Sequence, residues 1–81
     1  MSPEERQEAL ERHGLTEGPD GFDITLRGLQ KALKRALTLR GEGNEEAARM
    51  LALSPEDPLR WEYCRCLQIE AFSAEAYRSG I

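Results

Sequence analysis

The chain has 81 residues, of which 40% are apolar and 32% charged, and its formal net charge is −4. That length fits one domain, residues 1–81, with a small core, and the apolar share belongs to a globular chain rather than a disordered one. No apolar run approaches the roughly 20 residues of a membrane span, and the negative balance disfavours nonspecific nucleic-acid binding.

Charge is distributed unevenly. Residues 1–20 carry six acids and two bases, residues 21–41 one acid and five bases, and residues 42–81 eight acids and four bases. The opening Met1-Ser2-Pro3-Glu4-Glu5 resembles neither a secretory signal nor a transit peptide. Cys64 and Cys66 stand two apart, so on a helix their side chains point roughly 200° apart and do not bridge. Both features lead to the expectation of a cytoplasmic protein with reduced thiols.

Strand formers are scarce: there is no valine, and only three isoleucines and three threonines. The expected fold is all-α, a compact bundle of three to four helices. The first helix begins after Ser2, with Pro3 in the first helical position and Glu5 completing a capping box. It ends at Gly14. Only Ala9 and Leu10 are apolar inside it, so it touches the core by a narrow edge. Thr16 to Gly21 holds Gly18-Pro19-Asp20-Gly21, a turn sequence in which proline presets φ and glycine frees it. Phe22 then anchors the chain to the core.

Asp23 is the expected cap of the second helix, which runs to about Arg40. Leu26, Leu29, Leu33, Ala36 and Leu37 form its expected buried stripe. Arg27, Lys31, Lys34 and Arg35 form the opposite, basic face. Gly41 and Gly43 close it. Asn44 caps a short third helix, with Glu45 and Glu46 favourably placed in its first turn and Ala47, Met50 and Leu51 on its inner edge. The fourth helix starts at Pro58, since a proline deeper inside would cost a hydrogen bond, and runs into the seventies. Leu59, Trp61, Tyr63, Cys64, Cys66, Leu67, Ile69, Ala71 and Phe72 surround it without a clean polar face, which marks it as buried, in part against a second chain. The expected core is Leu29, Leu33, Leu37, Leu51, Trp61, Leu67 and Phe72.

Candidate chemistry is thin. His13 sits in the last turn of the first helix, where a cation suits the dipole, and it has no companion nucleophile. Together with Cys64 and Cys66 it makes three soft ligands, whereas structural zinc takes four; the cysteines read better as small hydrophobes. Glu4/Glu5, Glu45/Glu46 and Glu56/Asp57 all occupy helix N-termini, where the dipole favours acids. Gly41-Glu42-Gly43 lacks the strand, lysine and hydroxyl of a phosphate loop. No enzyme, metal or cofactor is expected.

Residues 27–67 resemble the C-terminal half of Fis-type helix-turn-helix domains. The matching pieces are the helix Leu26 to Leu39, Gly43-Asn44, Ala47-Ala48-Arg49-Met50-Leu51, and the segment from Ser54 onward. This resemblance implies a DNA-binding regulator whose recognition helix begins near Ser54. Departing from that pattern, one residue is missing between Asn44 and Ala47, and Ala52 stands where glycine is common. Glu56 and Asp57 also open the recognition helix, where contacts to base edges and phosphates are made. Arg60 and Arg65 are its only bases. Pro55 followed by Trp61 is similar, more faintly, to the junction between tetratricopeptide hairpins, a fold that needs several copies.

These observations favour a non-catalytic protein-recognition module, such as an adaptor, regulator or inhibitor, over a DNA-binding regulator or an acidic, phage-type inhibitor of a nucleic-acid machine. The expected partner surfaces are the basic face Arg27, Lys31, Lys34 and Arg35, for an acidic protein, and Trp61, Tyr63 and Tyr77, for self-association into a homodimer through the fourth helix.

Overall fold

The computed structural model describes residues 2–80. In chain order it places α1 (Pro3–Arg12), β1 (Leu15–Gly18), β2 (Gly21–Ile24), α2 (Leu26–Gly41), α3 (Glu45–Leu51) and α4 (Pro58–Arg78). The helical class is as expected, with a two-stranded antiparallel hairpin added. β1 and β2 pair Leu15 with Ile24, Thr16 with Asp23, Glu17 with Phe22 and Gly18 with Gly21. The turn Gly18-Pro19-Asp20-Gly21 reverses the chain with Gly21 at φ +114°, a conformation that side chains disfavour.

Local chemistry sets most helix ends. Ser2 accepts from the Glu5 amide while the Glu5 carboxylate accepts from the Ser2 amide, which completes the capping box of α1. Asn44 caps α3 and Asp57 caps α4, with Pro58 in the first turn. For α2 the cap is Thr25, not Asp23: its hydroxyl accepts from the Gly28 amide. Pairing with β1 holds Asp23 and Ile24 extended, so the helix starts two residues later. Ser73 does not interrupt α4, which continues to Arg78.

The core divides into two clusters. Ala9, Leu10, Leu15 and Phe72 pack with Phe22 and Ile69, joining α1 and the hairpin to the C-terminal half of α4. Phe22 thus anchors the turn as expected. Ala32, Ala36, Cys64 and Leu67 pack with Ile24, Leu29, Leu33, Leu39, Leu51 and Tyr63, joining α2 and α3 to the middle of α4.

The buried face of α2 differs from the expected leucine stripe. Gly28, Ala32 and Ala36 face inward, spaced four apart on one side of the helix. Small side chains let α2 approach its neighbours closely. An ideal Cβ on Gly28 would lie 2.2 Å from the Gly14 carbonyl oxygen, so the two backbones touch. With this face inward, Leu26 and Leu37 turn outward, 70% and 49% exposed. Trp61 is also outside the expected core, at 41%.

Polar side chains from two helices secure the C-terminal end of α1. Lys31 Nζ donates to the Arg12 carbonyl, and Gln68 Nε2 to the His13 carbonyl at 2.7 Å. The Gly14 carbonyl accepts from the Thr25 amide at 2.8 Å and from its hydroxyl at 3.0 Å. These are carbonyls that a helix end leaves without partners. Gln68 is buried, and among the described residues no buried side-chain nitrogen or oxygen lacks a partner.

Candidate functional site

The seven residues read from the sequence as partner contacts occupy four separate places. Arg27, Lys31 and Lys34 lie together on α2, around a shallow surface they share with Gln30 and Leu33. Their spacing of four and three residues puts them on one helical face. Arg35 is displaced to the side of that face, where it lines a crevice of about 320 Å³ with Tyr63, Asn44 and Glu46. Trp61 borders a groove between β2 and the start of α4. Tyr77 stands by itself in the last turn of α4, 86% exposed.

The α2 surface combines charge with apolar area. Leu26, Leu33 and Leu37 follow one another at i, i+7 and i+11, a single helical stripe. Leu33 is half-buried against the core, and the other two stand out. Arg27 and Lys34 flank this stripe, and among the described residues neither side chain pairs with a carboxylate. Acids of the first and fourth helices therefore do not neutralise these two cations. Those helices use their acids elsewhere: Arg12 takes Glu75 through two bonds of 2.8 Å, and Arg65 takes Glu62.

The missed residues here are Leu26 and Leu37, which the sequence pattern placed on the buried stripe; Leu29 and Leu33 of that stripe do pack against the core. The available signal was the run of small residues Gly28, Ala32 and Ala36, which can be buried by close approach even though leucine carries more apolar area.

The fourth helix presents less continuous apolar surface than expected. Cys64, Leu67 and Phe72 are covered by the rest of the chain. The exposed apolar groups lie near its two ends, Leu59 and Trp61 at one and Tyr77 at the other, with Trp61 and Tyr77 roughly 24 Å apart along the axis. Tyr63 is half-buried in the second core cluster, and burial, followed by Glu46, pushes its hydroxyl pKa upward. Two of the three arginines of the helix are engaged in its first half: Arg60 donates to the Leu53 carbonyl at 3.2 Å, and Arg65 to the Phe22 carbonyl at 3.0 Å as well as to Glu62.

The remaining candidates are accounted for by packing. His13 caps α1 and lies 3.2 Å from a Glu75 oxygen, edge-on to Phe72. The Arg12 guanidinium, with His13, holds the Glu75 carboxyl down at about 2. Cys64 is buried as expected, whereas Cys66 is exposed, and the two are free thiols. Among the described residues no three histidine, cysteine, aspartate or glutamate side chains gather in a metal-binding group, and no helix is long and apolar enough to cross a membrane.

No protein-family model, curated protein or solved structure matches the chain. The likeness of residues 27–67 to Fis-type domains thus rests on the motif alone.

Proposed function

We propose that the chain is a non-catalytic protein-recognition module whose α2 face binds an acidic, amphipathic segment of another protein. One observation carries this reading: exposed Leu26 and Leu37 lie beside Arg27 and Lys34, whose charges have no carboxylate partner among the described residues. A nucleic-acid backbone would use the cations but gain little from leucine side chains, because its affinity comes mainly from phosphate contacts. A partner helix with leucines flanked by glutamates uses both. The stripe spans 11 residues, roughly 16 Å of helix, which matches a partner helix of about three turns. An interface of that size belongs to the weak, transient class.

The DNA-binding reading has less support at the helix the resemblance names. Its opening acids oppose phosphate, and Arg60 and Arg65 are committed to internal acceptors. Self-association along α4 has less support as well, since its exposed apolar groups are near opposite ends.

Calorimetric titration with a capped helical peptide of alternating leucine and glutamate faces tests the proposal. Saturable binding should weaken roughly tenfold or more in the double variant Arg27→Glu/Lys34→Glu. Binding of duplex DNA or of anionic vesicles through the same two residues, with none of the peptide, would refute it.

A further inference from the structure

On the other side of the hairpin's attachment lies a second surface, independent of α2. A groove of about 570 Å³ runs between β2 and the first turns of α4. Phe22, Ile24, Pro58 and Trp61 give it apolar and aromatic walls. Asp20, Asp23, Glu56 and Glu62 contribute four carboxylates, against the single guanidinium of Arg65. Arg65 is already paired with Glu62 and donates to the Phe22 carbonyl, so it ties β2 to α4 and forms part of the frame.

Trp61 is held in place by the protein itself. Its indole Nε1 donates to the Pro55 carbonyl at 3.1 Å, which satisfies its one polar group while leaving 41% of the residue exposed. The N-terminal end of α4 is capped separately by Asp57, which accepts from the Leu59 amide at 2.9 Å. The four groove carboxylates are therefore additional to the cap. A fixed aromatic face beside Asp20, Asp23 and Glu56, which among the described residues have no ion-pair partner, is suited to a guanidinium or ammonium group, which stacks on the indole and pairs with the acids.

We infer that this groove docks an extended, arginine- or lysine-bearing segment of a partner protein, with one cationic side chain lying over Trp61. The partner chemistry is opposite to that proposed for α2. The molecule thus offers two surfaces of opposite charge that share no lining residue.

The test is a titration with a capped peptide of alternating arginine and alanine, followed by the fluorescence of Trp61, the one tryptophan of the chain, and by calorimetry. Binding should be saturable and should perturb the fluorescence. Trp61→Ala should weaken it about fivefold, and so should Asp20→Asn combined with Glu56→Gln, two exposed positions whose replacement should leave the circular-dichroism spectrum unchanged. Arg27→Glu/Lys34→Glu should leave it unchanged. Absence of saturable binding, or equal affinity in the Asp20→Asn/Glu56→Gln variant, would overturn the inference. Because the α2 proposal is probed with an acidic peptide, either surface can fail while the other stands.

Discussion

The contact between Gly14 and Gly28 leaves no room for a Cβ on either residue, and Gly28→Ala tests it with two opposed effects of known sign. On helix propensity alone the substitution stabilises, by about 0.5–1 kcal/mol. On packing it does the reverse. The new methyl would stand 2.2 Å from the Gly14 oxygen, 2.8 Å from its carbonyl carbon and 2.9 Å from Ile24 Cγ1. Two of those atoms are backbone, so relief requires α2 to move away from the end of α1. Overpacking of this kind costs about 1–3 kcal/mol. The shift also strains the two hydrogen bonds from Thr25 to the Gly14 carbonyl, each worth about 1 kcal/mol. The net expectation is a loss of about 2–3 kcal/mol, from a total of about 4–12 kcal/mol for a domain of this length. Thermal unfolding followed by circular dichroism should show a fall of roughly 8–20 °C in Tm. Gly41→Ala, on the same helix with nothing within 4 Å of its added Cβ, should leave Tm level or raise it. A Gly28→Ala protein as stable as the parent would refute the close approach.

Three further outcomes follow from the packing. Gln68→Leu removes the donor to the His13 carbonyl inside a buried site and should cost about 1–3 kcal/mol, read as a lower urea midpoint. Native labelling with a maleimide should modify Cys66 and spare Cys64, whose buried thiol is pushed up in pKa; mass spectrometry of the peptides decides it, and equal labelling would contradict the burial. Glu75 is held at about 2 by Arg12 and His13, below its usual value of 4.5. Its stabilisation is therefore present above about pH 4.5 and lost as pH falls toward 2. Glu75→Gln should lower Tm at neutral pH and match the parent near pH 2, and a difference that persists there would refute the assignment.

Much of the helical frame is legible in the residues because it depends on short-range chemistry. Ser2 with Glu5, Asn44, and Asp57 with Pro58 mark helix starts that need no tertiary partner. The hairpin is harder to read. Its strands are four residues each and contain few β-formers, so the pairing of Leu15 with Ile24 is set by burial against α4 rather than by propensity. That pairing also moved the α2 cap from Asp23 to Thr25. The face of α2 is the most instructive difference. Apolar periodicity favours leucine as the inward residue, but Gly28 and Ala32, with the expected Ala36, permit a closer approach to α4 and α1; Leu29 and Leu33 still pack at the edge of that face, while Leu26 and Leu37 are left exposed. The same geometry exposes the surface proposed for recognition: basic residues were legible on α2, whereas the apolar stripe beside them became visible only once the buried side was known. Trp61 followed the same course, from expected core residue to the wall of an acidic groove.

The central claim is that Arg27 and Lys34 read opposite charge beside an apolar stripe. A charge-swap titration tests it most directly. The Arg27→Glu/Lys34→Glu protein should lose the leucine–glutamate peptide and gain a peptide of the same pattern with lysine in place of glutamate, with amide shifts confined to the α2 face in both complexes. Undiminished binding of the acidic peptide by the swapped protein, or no binding of either peptide by either protein, would contradict it.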